Sequence, residues 1–234
     1  MSASVNVLGR AEALRPTSRE SSSAQAFERG ETGEWNPELF MREQILGLVR
    51  RVFLPNGGHP ANHVVFSAIE ARIDLPGICR QVAQALARET KSKVALVDSQ
   101  AGEGMAGCGF RKGAGPIDSR VQQLEHNLWR VTTEASGNGG TDTEAGFDWP
   151  PFLARLRSEF QYAVINGPAA AKSSEAAFMA QNADGIILVL GAHTTRRTTA
   201  RSVKAALEGA QSRILGTVLA ERRFPIPERI YRRL

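Results

Sequence analysis

Cysteine is nearly missing from this chain: Cys79 and Cys108 are the only two in 234 residues. So small a supply excludes a disulfide-stapled scaffold, and two thiols without a second spaced pair make no zinc site. Free thiols in a reducing compartment are expected, with a Cys79–Cys108 bridge as the weaker alternative. Long apolar runs are missing too. The longest candidate, "GIILVLGA" (185–192), is strand length, well short of the roughly 18 residues that a membrane span needs. The opening stretch, "MSASVNVLGRAEALRPTSRE", lacks the apolar region of a signal peptide, so a cytoplasmic protein is expected. Histidine is scarce: His59, His63, His126 and His193 are scattered among loops and strand ends, and no Ser/His/Asp or Cys/His set emerges.

Acidic residues run short at one end. From residue 196 onward ten Lys and Arg stand against three Glu, a surplus of seven that exceeds the net +5 of the whole chain. A basic end can serve nucleic acid, anionic lipid or an acidic protein partner, and the plainer alternative is a solvated arginine-rich helix face. Aromatic residues among these arginines are few, Phe224 and Tyr231, and no helix-turn-helix is visible, which speaks against nucleic acid.

What is present is a regular alternation. Residues 1–35 mix Ser, Glu, Gly, Thr and Arg without apolar period and read as a flexible arm ahead of one α/β domain over 36–234. "NPELFMREQILGLVRRVFL" predicts a helix with Leu39, Ile45, Leu46, Val49, Val52 and Phe53 at helical spacing. Then "HVVFSA", "KVALVD", "YAVING", "GIILVLGA" and "RILGTVLA" are apolar strands, and "LWRVTT" (128–133) is a short or edge strand. Between them lie the helices "GICRQVAQALARET", "PPFLARLRSEF", "SEAAFMAQNA" and "RRTTARSVKAALEGAQS". Proline is tolerated in the first turn of a helix, as at the start of the second of these. Continuous apolar strands separated by helices predict a mostly parallel, twisted sheet with helices on both faces. Residues 99–118, with six glycines, and 134–148 read as loops.

Two phosphate-loop matches fail on context. "GEGMAG" (102–107) has the dinucleotide spacing, but no helix follows it. In "GPAAAKSS" (167–174) Gly167 and Lys172 stand one residue too close for a P-loop. The stretch that does have strand–loop–helix layout is "VVFSAIEARIDLPGICRQVAQALA" (64–87), and its loop carries Arg72, Asp74, Leu75 and Pro76 where glycines and a lysine would close around phosphate.

The order of this stretch with "VALVDSQ", "FQYAVINGPAA", "ADGIILVLGAHTTRRTTARSVKAALE" and "ILGTVLAERR" resembles the cytoplasmic kinase domains of bacterial polysaccharide-export tyrosine kinases, within the MinD/ParA group of deviant-Walker ATPases. The likeness runs over most of 38–234, and its most specific part is "ADG…VL…TRR". It implies a P-loop NTPase-like fold, with ATP and magnesium as cofactors wherever the site is intact. The site positions carried over are Ser67 and Glu70 in the strand–loop segment, Asp74 for a glycine, Leu75 for the lysine, and Pro76 for the metal-binding hydroxyl. Asp98 matches the first aspartate of the relatives' "IDAD", Asn166 stands for the Walker B aspartate, and Ala220 for the asparagine that reads adenine. An aspartate repels phosphate, a proline lacks the N–H donor, and an amide brings no charge to a metal. In the first helix Glu43 is kept, but Leu46 and Val49 stand where the relatives have ring-forming arginines.

Taken together these departures predict a nucleotide site that has been lost, with no cofactor. The expected function is a non-catalytic, kinase-like protein of exopolysaccharide or capsule assembly that acts by docking. Expected partners are a membrane-embedded chain-length regulator or an active kinase of the same family, with peripheral placement at the inner membrane. Phe224, Ile230, Tyr231, Arg232 and Arg233 of the tail are the candidate docking residues. The alternatives are a residual ATP-dependent tyrosine kinase, and a ParA-like protein that binds DNA or an anionic membrane surface through its basic end.

Overall fold

The computed structural model describes residues 6–8, 37–56, 59–99, 121–133 and 149–221. In chain order the elements are β1 (Asn6–Leu8), α1 (Pro37–Val52), β2 (His63–Ala68), α2 (Leu75–Thr90), β3 (Val94–Asp98), β4 (Val121–Glu125) and β5 (Leu128–Thr132). After these come α3 (Trp149–Glu159), β6 (Tyr162–Asn166), α4 (Glu175–Asn182), β7 (Gly185–Gly191), α5 (Arg197–Gly209) and β8 (Ile214–Ala220). The strands form one eight-stranded sheet in the order β1-β8-β7-β2-β6-β3-β5-β4. All neighbours are parallel except the two outermost pairs, β1 with β8 and β4 with β5.

Side-chain alternation along each strand divides the core in two. Val64, Phe66, Val94, Leu96, Val164, Ile187 and Val189 point to the face covered by α1 and α2. Val65, Ala95, Val97, Ala163, Ile165, Ile186 and Leu188 point to the face covered by α3, α4 and α5. The expected mostly parallel α/β sheet with helices on both faces is therefore the observed one. The central strands are buried on both sides, which is why their sequences are continuous apolar runs.

Local chemistry sets the helix ends. Asp74 caps α2, its carboxylate accepting the Gly77 N–H at 3.0 Å, and Lys91 closes the helix in the left-handed conformation with φ 54°. Pro150 and Pro151 fall in the first turn of α3, where their missing N–H groups cost nothing. Gly185 opens β7 at φ +154°, and a Cβ there would meet the Arg213 carbonyl oxygen at 2.6 Å, so only glycine lets β7 start against β8.

Three details go beyond what the sequence patterns show. Asn6–Leu8, inside the stretch read as an arm, pair antiparallel with Thr217–Leu219 of β8. Of the two readings of "LWRVTT" the short strand holds and the edge does not: β4 lies outside it, and β4 escapes a hydrophobicity reading because Gln122 and Gln123 are exposed and no apolar run marks it. Leu39, the first of the apolar residues at helical spacing in α1, is 57 % exposed. Val49, by contrast, is fully buried, so it belongs to the core, whereas Glu43 is exposed. The loop readings for 100–118 and 134–148, and Cys108, lie outside the described residues. Cys79 is a free, buried thiol, and burial raises its pKa above the ordinary cysteine range.

Candidate functional site

In parallel α/β sheets ligands bind beyond the carboxyl ends of the strands. Here those ends are Ala68, Asp98, Asn166, Gly191 and Ala220, with the N-terminus of α2 beside them. Two open grooves lie elsewhere. One, of about 660 Å³, is bordered by Arg50, Leu54 and Glu89 at the C-terminal ends of α1 and α2. The other, of about 520 Å³, is bordered by Lys93, Trp129 and Phe160 where β3 and β6 begin. Both are at the opposite end of the sheet.

The loop between β2 and α2 is built without a phosphate cradle. The first donors of a helix attract anions because they lack intrahelical partners. In α2 the Gly77 N–H is taken by Asp74, and Pro76 has no N–H to offer. Leu75, which the resemblance would set in the lysine's place, is 3 % exposed and packs in the core with Ile73 and Ile78. Ser67 is fully buried and its hydroxyl donates to the Pro168 carbonyl oxygen. Glu70 lies in the β2–α2 loop, partly exposed. The Gly167 N–H donates to the Phe66 oxygen at 2.9 Å, and a Cβ on Gly167 would approach Val65 Cγ1 to 2.9 Å, so β2 and the turn after β6 are drawn tightly together.

One row of polar residues does assemble. Asp98 and Asn166 are register partners across β3 and β6. Asn166 Nδ2 donates to Asp98 Oδ1 at 3.2 Å. From the other side an Arg130 guanidinium nitrogen donates to Asp98 Oδ2 at 2.8 Å. Arg130 sits on β5 opposite Leu96, two residues before the partner of Asp98, and so reaches Asp98 diagonally on the same face. Asn166 is 1 % exposed, and its Oδ1 finds no hydrogen-bond partner among the described residues. Reasoning along the chain missed Arg130. Its only signal is a charged residue inside an otherwise apolar strand, "LWRVT".

Not every candidate joins this row. Ala220 is fully buried at the end of β8, and three strand steps separate it from Asn166. Phe224, Ile230, Tyr231, Arg232 and Arg233 lie outside the described residues. No cluster of three or more His, Cys, Asp or Glu that could hold a metal occurs among the described residues. No helix among them is long and apolar enough to cross a membrane.

No protein-family model matches the chain, and no curated protein does. Solved structures do. The VpsO kinase domain superposes with a TM-score of 0.56 at 22 % identity, covering 78 % of this chain and 96 % of that one. The kinase domain of the Escherichia coli tyrosine kinase ETK gives 0.56 at 12 % identity, covering 86 % and 88 %. A ParA family ATPase from Chlorobium tepidum gives 0.51 at 12 % identity, covering 67 % and 72 %. The fold is that of these tyrosine-kinase domains and ParA-type ATPases. Within this kinase-domain fold, ATP and magnesium would be expected at the strand ends just described, but the residues present do not fit them. The helix donor is engaged by the chain's own carboxylate, Leu75 is core, and both oxygens of Asp98 have partners within the protein.

Proposed function

We propose that this protein is a non-catalytic, kinase-like component of polysaccharide assembly that works by docking. The observation that carries the reading is the N-terminus of α2, where Asp74 holds the Gly77 N–H and Leu75 is packed into the core. Phosphoryl transfer is mostly positioning and charge stabilisation, and its parts are missing. The sheet core persists because its buried apolar strands do not depend on a ligand.

The docking surface we assign is the basic C-terminal end. Ala192 N–H donates to the Ala220 oxygen at 2.9 Å, so the end of β8 lies beside the approach to α5. There Arg196, Arg197 and Arg201 are exposed. The tail follows β8 in sequence, and in this proposal Phe224, Ile230, Tyr231, Arg232 and Arg233 add apolar anchors and further positive charge to the docking surface. The partner is an acidic cytoplasmic segment of a membrane-embedded chain-length regulator or of an active kinase with this fold. Such a protein would stand at the inner membrane through its partner. Isothermal titration of the full chain with ATP–magnesium tests the first half, and no saturable binding at millimolar nucleotide is expected. Micromolar binding abolished by Asp98→Ala would overturn the non-catalytic reading.

A further inference from the structure

We propose that Arg130 is the resident cation of the former nucleotide site, and that its guanidinium holds the place beside Asp98 that a divalent ion would otherwise take. The proposal rests on the reading of this end of the sheet as a former nucleotide site. Strand order makes the arrangement possible. With β3 between β5 and β6, Arg130, Asp98 and Asn166 form one row on one face of the sheet. The guanidinium lies 2.8 Å from one carboxylate oxygen, and the amide 3.2 Å from the other.

Two residues together make this row independent of metal. A carboxylate at position 166 would put a second negative charge within hydrogen-bond distance of Asp98, and two such groups cannot both ionise without a cation between them. Asn166 removes that second charge, and Arg130 neutralises the one that remains. The Asn166 Oδ1 is buried and has no hydrogen-bond partner among the described residues, so the amide contributes to the row through its Nδ2 donor alone. Magnesium needs about six oxygen ligands in octahedral array, whereas each Asp98 oxygen already accepts a hydrogen bond from a neighbouring side chain and the carboxylate's charge is answered by Arg130. The chemical class excluded from this site is therefore the hard divalent cation, and the residue that excludes it is Arg130.

The test rebuilds the carboxylate pair with and without the guanidinium. Asn166→Asp, Asn166→Asp with Arg130→Gln, and Asn166→Asp with Arg130→Lys are melted in manganese chloride and in sodium chloride of equal ionic strength. With manganese at tenfold its Kd, the Arg130→Gln double variant should melt about 4 °C higher than in sodium chloride. Asn166→Asp alone and the Arg130→Lys double variant should gain less than a third of that. Equal gains with and without the cationic side chain, or no gain in the Arg130→Gln double variant, would overturn the assignment. Should that variant fail to fold even in manganese, Asp98→Asn and Arg130→Gln in the otherwise native chain decide it. Their combined loss of Tm should not exceed the larger single loss, and additive losses would overturn the proposal. Nucleotide binding by the wild-type chain would sink the non-catalytic reading while leaving these outcomes to judge the cation separately.

Discussion

Placing a lysine at position 75 is the sharpest test of the proposal that a nucleotide site has been lost. Leu75→Lys changes a side chain that is 3 % exposed, set against Ile73 and Ile78 at the start of α2. Full burial of a leucine is worth about 2 kcal/mol. A lysine recovers part of that through its methylene stem but must either bury its ammonium or leave the core to reach water, at roughly 1–3 kcal/mol more. A net loss of roughly 3 kcal/mol follows, and for a domain of this size each kcal/mol lowers Tm by about 2–4 °C. A fall of about 10 °C is therefore expected in a thermal melt. ATP–magnesium should not restore it, because Asp74 still occupies the helix donor and Pro76 supplies none. A Leu75→Lys protein that melts with the wild type and binds ATP–magnesium at micromolar concentration would refute the reasoning. It would mean that position 75 can turn outward into a preformed cradle.

Asp74→Ala removes the cap of α2 and should cost about 1 kcal/mol by chemical denaturation, with Asp74→Ser recovering most of it; equal losses would show that the carboxylate does not cap. Acid should weaken the fold through His63, whose pKa is lowered from 6.5 to about 4, chiefly by burial and secondarily by Arg157, against the opposing pull of Asp184. The folded state resists protonating this ring, so stability is whole above pH 6.5 and falls by up to roughly 3 kcal/mol as pH drops to about 4. His63→Gln should flatten denaturation midpoints across that window, and an unchanged slope would place the acid sensitivity elsewhere. Light scattering should find no charge-paired ring, since Val49 is core and only Glu43 of that pattern is exposed; an octamer broken by Glu43→Ala would contradict this. Reversing Arg232 and Arg233 to Glu should weaken partner capture without lowering Tm, and capture at wild-type strength would move the docking surface off the tail.

Much of the fold can be read from residues alone, because burial on both faces forces unbroken apolar strands such as "VALVD" and "GIILVLG". The helices between them follow from apolar spacing, and the proposal that phosphate chemistry is lost starts from what Asp74, Leu75 and Pro76 are. Strands with weak apolar signals were not legible. β4 pairs through its backbone and exposes Gln122 and Gln123, and β1 has only three residues. The role of Asp74 was half legible: an aspartate near phosphate reads as repulsion, whereas its position shows it satisfying a helix donor. Arg130 was not legible at all. It lies 32 residues from Asp98 in the chain, and nothing local relates the two. Alternation says which face of a strand a side chain takes, but not which strand lies beside it. Sequence by itself determined which side chains stand at the start of α2 and at the ends of β3 and β6, and only the order β6-β3-β5 decided which charge would answer Asp98, because strand adjacency is set by tertiary packing.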